Sequence, residues 1–158
     1  MRIELSNTLP GRLNEGFEYL CEVVHWPNWY SGLTGITGEP HSGRWSDPGD
    51  TVSFYYKVLG RPLEGKVVLT EMRKYELVRS VVNVSGLPEV QQEYRFAEAS
   101  EDSFVLTVIQ ETEEQTRFRG QAVDRLLLPH ALERDLKRTM ENLQDIFAFG
   151  LPRPMWVL

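Results

Sequence analysis

The strongest constraint on this chain is one apolar stripe near its end. Within residues 129–149, Leu132, Leu136, Met140, Leu143 and Phe147 recur in steps of four and three, the spacing that aligns side chains on one face of an α-helix. Glu133, Lys137, Glu141 and Asp145 fall on the opposite side. The stretch from about residue 50 to 112 before this helix reads almost entirely as strands. A long amphipathic helix that follows a run of strands must bury its stripe against the sheet they form. If that sheet is curved, a cavity can open between the two, and this possibility is the main functional clue.

A length of 158 residues is enough for one domain with a substantial core. We expect a single domain over residues 1–150, followed by an apolar tail, 151–158. The net charge of −6 argues against general nucleic-acid binding, which relies on Lys and Arg against phosphate. The basic residues Arg134, Lys137 and Arg138 are interleaved with acids and read as a solvated face carrying i,i+4 pairs. Cys21 is the sole cysteine, so no internal disulfide can form and a reducing compartment fits best. Beside Leu20 in a helical pattern, it reads as a small buried residue. No signal peptide is expected, because the N-terminus starts with a strand-like segment containing Arg2 and Glu4. No apolar run approaches membrane-spanning length, so stable membrane insertion is not expected. The expectation is a soluble cytoplasmic protein.

Ile3 and Leu5 alternate with polar neighbours and predict a short strand over 2–8. After Pro10-Gly11, the spacing of Leu13, Phe17, Leu20 and Val24 predicts a helix to about residue 24, although Asn14 and Gly16 weaken it. Pro27 stops that helix, Trp26-Pro27-Asn28-Trp29 forms a turn, and a short helical turn is expected over 28–32. Residues 31–50 are rich in Gly, Pro and small polar residues and read as loop around one short strand at 35–39. Strands are then expected at 52–58, 63–73, 76–84, 90–97 and 104–110, joined by turns such as Asp47-Pro48-Gly49-Asp50 and Ser85-Gly86-Leu87-Pro88. Short connections imply antiparallel pairing. The 104–110 strand is apolar on both faces, as a central or doubly covered strand would be. Residues 113–121 are polar, and the final helix begins near Ala122, with a kink expected at Pro129. Gly150 caps it, and Pro152 forbids continuation.

Several local signatures then fall into a familiar order. Phe17-Glu18-Tyr19-Leu20 followed by Trp26-Pro27-Asn28-Trp29 resembles the first-helix signature of the START-like superfamily, the Bet v 1-like or polyketide cyclase/dehydrase group. Pro48-Gly49-Asp50-Thr51-Val52-Ser53-Phe54 is similar to the opening of that group's next long strand. Glu93-Tyr94-Arg95-Phe96 resembles its penultimate hairpin, and the terminal helix matches in place and length. The resemblance covers residues 1 to about 149. It implies an α+β helix-grip fold: a curved seven-stranded antiparallel sheet wrapped around a long C-terminal helix, with two short N-terminal helices. Members bind lipids, sterols, polyketides or other apolar molecules; some are polyketide cyclases or dehydratases, and some act as co-chaperones. The resemblance speaks to fold far more than to function.

On this register Phe54, Tyr56, Val58, Val82, Tyr94, Phe96, Leu106 and Val108 point inward, opposite Leu132, Leu136 and Met140. Tyr56 and Tyr94 are notable, since a buried phenol needs a partner and could hold a ligand oxygen. Thr70, Ser80 and Gln110 are candidates for the few polar groups that orient a guest in an apolar pocket. Trp26 is expected to plug the end of the sheet, and Trp29 either does likewise or lines the pocket mouth beneath a Gly-rich lid, 31–50. The group's cyclases place an arginine or a histidine–acid pair in the cavity, and no clean equivalent is visible: Arg79 falls on the outer face. His25, His41 and His130 are scattered and share no metal-ligand spacing. His130 is the best placed of the three, at the helix start. The expected function is binding of a small hydrophobic or amphipathic ligand (lipid-, sterol- or polyketide-like), without metal or cofactor. Two alternatives stand beside it. One is a cyclase or dehydratase using Tyr56, Tyr94 and His130 as proton donors or acceptors; the other is a co-chaperone-like interaction module using the outer sheet face. The tail, with Trp156 and Leu158, is apolar for a chain end, so it is expected to dock on the body or to make a homodimer contact. Its deletion would then lower thermal stability or dissociate an oligomer.

Overall fold

The computed structural model describes residues 1–112 and 122–150. The polar stretch 113–121 and the tail 151–158, with the expected docking or dimer contact, lie outside the described residues.

Alternating apolar and polar residues fold into seven strands: β1 (Arg2–Pro10), β2 (Leu33–Gly38), β3 (Thr51–Val58), β4 (Arg61–Arg73), β5 (Leu77–Val84), β6 (Val90–Ser100) and β7 (Ser103–Thr112). They form one antiparallel sheet in the order β1-β7-β6-β5-β4-β3-β2. From β2 to β7 each strand pairs with the next in sequence. β1 closes the far edge on β7, so β7 is an inner strand paired on both sides. Irregularities at Leu69/Glu71 and Glu98/Ser100 bend their strands. The inner face carries Val52, Phe54, Tyr56 and Val58 of β3, Val67 and Leu69 of β4, Ser80 and Val82 of β5, Gln92, Tyr94 and Phe96 of β6, and Phe104, Leu106 and Val108 of β7, all buried.

Three short or long helices cover that face. α1 (Leu13–Cys21) buries Phe17 and Leu20. It ends three residues earlier than its spacing predicts. Glu22 is extended, a 3-10 turn follows at Val23–His25, and Val24 is turned out to 70% exposure rather than continuing the buried stripe. The Trp-Pro-Asn-Trp segment is itself a helical turn, α2 (Trp26–Trp29), with Pro27 at the helix start, where its missing N–H is not needed. The 35–39 strand is found two residues earlier, as β2. α3 (Ala122–Phe149) is one continuous element through Pro129. Its Leu136, Met140, Leu143 and Phe147 are buried, Leu132 is partly buried, and Lys137, Glu141 and Asp145 face out. No described helix is long and apolar enough to cross a membrane.

Two glycines set close approaches. Gly16 in α1 lies under the Phe104 ring, where any Cβ would stand 2.4 Å from a ring carbon. This packing explains a glycine at a helix position where propensity disfavours it. Gly32 follows α2 with φ +92° and lies against the Tyr56 ring, so a side chain there would be both strained and obstructed.

The outer face is polar. Arg79 bridges Glu71 (2.6 Å) and Glu93 (2.5 Å), and Arg95 meets Glu93 at 2.7 Å. Arg79 therefore lies outside the interior, as its register predicts.

Candidate functional site

The interior between sheet and helices divides into two halves. At one end Phe104, Leu9, Leu106 and Leu143 are fully buried, and Phe104 packs edge-on against Phe147. At the other end, under α2, the packing is aromatic and interrupted by polar atoms. A void of about 20 Å³ remains there, room for about one water molecule. Among the described residues around this void no guest-sized space is open: indoles and phenols fill it. Trp26, Trp29 and Trp45 form one wall, and Val67, Val78, Tyr94 and Phe96 of the sheet another. Tyr30, Gln92, Leu20 and Cys21 complete it. Every one of these side chains is uncharged.

Gln92 is the hub of the polar atoms. Alternation on β6 turns it inward with Tyr94 and Phe96, and it is buried. Its Oε1 accepts from the Tyr30 hydroxyl at 3.0 Å and from Gln110 Nε2 at 3.4 Å. Its Nε2 donates to the Tyr94 hydroxyl. Burial pushes the Tyr30 phenol up to about 12, against the Gln92 hydrogen bond, and raises Tyr94 well above its usual range. Both shifts favour the protonated phenol.

A second pair lies where β3 meets α3. The Tyr56 hydroxyl donates to Asp135 Oδ2 at 3.0 Å, and Tyr56 packs edge-on to Tyr30. Burial first, then the neighbouring Tyr30 and Asp135, raise the Tyr56 phenol. Burial also raises the Asp135 carboxyl above the usual 3.8, although Tyr56, Arg134 and Ser31 pull it part of the way back. Asp135 also borders an open cleft of about 630 Å³ beside α3, together with Ser31, His130, Glu133 and Arg134. Two further ties hold α2 to α3: Ser31 N donates to Thr139 Oγ1 (3.0 Å), and Asn142 Nδ2 donates to the Trp29 carbonyl (3.3 Å).

Three buried polar atoms have no hydrogen-bond partner among the described residues: Trp29 Nε1, Trp45 Nε1 and Ser80 Oγ. The Trp26 indole, by contrast, donates to the Leu20 carbonyl at 2.9 Å, which fits its expected structural role.

Of the residues singled out from the sequence, Trp29, Tyr94 and Phe96 line the void. Trp29 is a buried wall rather than a rim residue. Phe54, Tyr56, Val58, Val82, Leu106, Val108, Leu136 and Met140 are buried core around it, and Leu132 is half-buried at the edge of that core. Ser80 faces inward on β5, opposite Leu69 and Gln92. Thr70 is a correction: it alternates with the buried Val67 and Leu69 and so points outward, exposed. His130 is exposed on the α3 cleft, away from the void. Trp45, Tyr30, Gln92 and Asp135 were not singled out. The alternation Gln92-Tyr94-Phe96 was a legible signal for the third of these, whereas Trp45 sits in a loop whose pattern carries none.

No protein-family model matches this chain, and no curated protein matches it in sequence. Solved structures do match in fold. A START superfamily protein from Mycobacterium smegmatis superposes with a TM-score of 0.74 at 10% identity, covering 95% of this chain and 99% of that one. An aromatase/cyclase from Streptomyces sp. R1128 gives 0.74 at 12% identity over 94% of this chain and 93% of its own. Norcoclaurine synthase from Thalictrum flavum, solved with dopamine and hydroxybenzaldehyde, gives 0.70 at 12% identity over 97% and 89%. The chain has the START-like, Bet v 1-like helix-grip fold, as its motifs and strand order predict.

Proposed function

We propose that this protein binds a small hydrophobic or amphipathic molecule in the interior between the sheet, α2 and α3. The observation that carries the reading is the set of unpartnered buried atoms at an otherwise apolar, aromatic wall. Buried polar groups are nearly always paired, because leaving one unpaired costs roughly 1–3 kcal/mol. Trp29 and Trp45 keep such groups beside the void, and Ser80 keeps one on the inner face of the sheet. A guest that supplies their missing partners recovers that cost. The fold neighbours, one an aromatase/cyclase and one solved with two aromatic molecules, are consistent with such a guest. The void is small, so a side chain must yield when the guest enters.

Native mass spectrometry of freshly purified protein tests this. The expected result is a non-covalent adduct, or saturable one-site uptake of the neutral probe N-phenyl-1-naphthylamine by the adduct-free protein. Absence of both would overturn the reading.

A second reading, proton transfer in a cyclase or dehydratase reaction, draws on the Tyr56–Asp135 pair. A protonated phenol beside a carboxyl of raised affinity for protons is a usable acid–base couple. Tyr56→Phe separates the two readings: binding survives with modest loss, whereas turnover of a polyketide-type substrate collapses.

A further inference from the structure

Three indoles surround the void, and they are held differently. Trp26 and Trp29 belong to α2, whereas Trp45 comes from the irregular segment between β2 and β3. Its ring is buried edge-on against Trp26, with centroids 4.6 Å apart, while Ser46 and Asp47 directly after it are exposed. Apart from one isolated bridge between Glu22 and Arg44, the segment around Trp45 pairs with no strand, and hydrogen bonds to Ser42 and to Asp50 fold it on itself. Trp45 N donates to the Cys21 carbonyl (3.0 Å), Val23 N donates to the Gly43 carbonyl (3.1 Å), and the half-exposed Arg44 pairs with Glu18. The ring that seals the interior is therefore the one on the least regular backbone, and its own N–H is unsatisfied there.

We propose that the space filled by the Trp45 indole is the ligand's own seat, and that the ligand is a neutral, flat, two-ring aromatic molecule carrying a hydrogen-bond acceptor. The inference rests on the interior-binding reading above and goes further, to the place and class of the guest. Size follows from the group displaced, a bicyclic ring. Neutrality follows from the lining, which holds no charged side chain among the described residues. A buried ion without a counter-charge is strongly disfavoured. The acceptor follows from donor surplus. An indole N–H can only donate, and Trp29 has nothing to donate to. The Tyr94 hydroxyl receives its bond from Gln92 and retains its own proton. A guest that brought only donors would leave these groups unanswered.

The test uses 1-indanone, which has one carbonyl acceptor, and indane, its counterpart without one. Removing the Trp45 ring opens a void on the order of the 150 Å³ that takes up benzene in an apolar core. Trp45→Ala is therefore expected to bind 1-indanone about tenfold tighter than the unsubstituted protein, read by calorimetric titration. It is also expected to prefer 1-indanone to indane, and Trp29→Phe in the same background is expected to weaken that preference, the remainder coming from the Tyr94 hydroxyl. Equal 1-indanone affinity with and without the Trp45 ring overturns the seat, and indane bound as well as 1-indanone overturns the acceptor. If the unsubstituted protein takes up N-phenyl-1-naphthylamine while either failure occurs, interior binding stands and only this inference falls. Should Trp45→Ala not unfold cooperatively, Arg44→Ala decides, since it loosens the segment but keeps the ring. We expect about two- to fivefold tighter 1-indanone binding, the range open to a half-exposed ion pair, with red-shifted tryptophan emission on binding. No change in either overturns the proposal.

Discussion

Gln92 shows how one residue couples the inner wall together. Its amide serves Tyr30, Tyr94 and Gln110 at once, in a place that water hardly reaches. Gln92→Leu keeps the approximate size but strips three partners of their bonds. We expect a loss of about 1–3 kcal/mol in urea denaturation, the range for unpaired buried polar groups; a loss below about 0.5 kcal/mol would mean that the three partners find other bonds. Asp135 gives a prediction of opposite character. Because burial raises its carboxyl above 3.8, the folded protein holds that proton more tightly than the unfolded chain does. Its contribution is therefore most favourable below 3.8 and is lost as pH rises through the raised value. Asp135→Asn, which keeps an acceptor for Tyr56, removes this slope. Relative to the parent, the variant is expected to gain thermal stability between about pH 4 and pH 7, and a parallel shift at both pH values would count against the assignment.

At the scale of the elements, α3 is held by burial and α2 by polar ties to it. Leu143 is fully buried in the stripe that the sequence announces. Leu143→Ala is expected to cost about 2–5 kcal/mol, measured by denaturant unfolding. The α1 helix depends on a contact rather than on propensity. Gly16→Ala would ordinarily favour a helix by up to about 1 kcal/mol, yet here the new methyl meets the Phe104 ring. We therefore expect destabilisation, of about 1–3 kcal/mol as for other overpacked sites, and a stabilised variant would show that the ring can move aside. The same elements show why sequence spacing misread the α1 end. Val24 continues the apolar period, but Trp26 must reach back to the Leu20 carbonyl, and the chain turns at Glu22 to allow it. A long-range requirement overrides a local period.

For the whole molecule, one sheet and one long helix share a single core, since buried residues from β1 to α3 form one connected cluster. Thermal unfolding followed by tryptophan emission and by far-ultraviolet circular dichroism is expected to coincide, as in a two-state domain; separated midpoints would mean that the helices leave the sheet first. The fold was largely legible because its signals are local: alternation turns Phe54, Tyr56, Tyr94 and Phe96 to one side, and steps of three and four align Leu136, Met140 and Leu143. Those periods are properties of neighbouring residues, and the backbone must obey them. The site was legible where it shares that periodicity, as at Tyr94, Phe96 and Ser80, and at Trp29, which the Trp-Pro-Asn-Trp segment marked. Whether the inner face would enclose a space or fill it depends on which side chains arrive from elsewhere in the chain. Trp45 reaches the void from a loop with no repeating pattern, and Asp135 meets Tyr56 across 79 positions. The sequence by itself determined the strands, the long helix and the faces they bury. Only the tertiary structure decided that the Trp45 indole would join Trp26 and Trp29 in the interior and leave its N–H unanswered, because long-range packing, not spacing along the chain, sets which atoms meet.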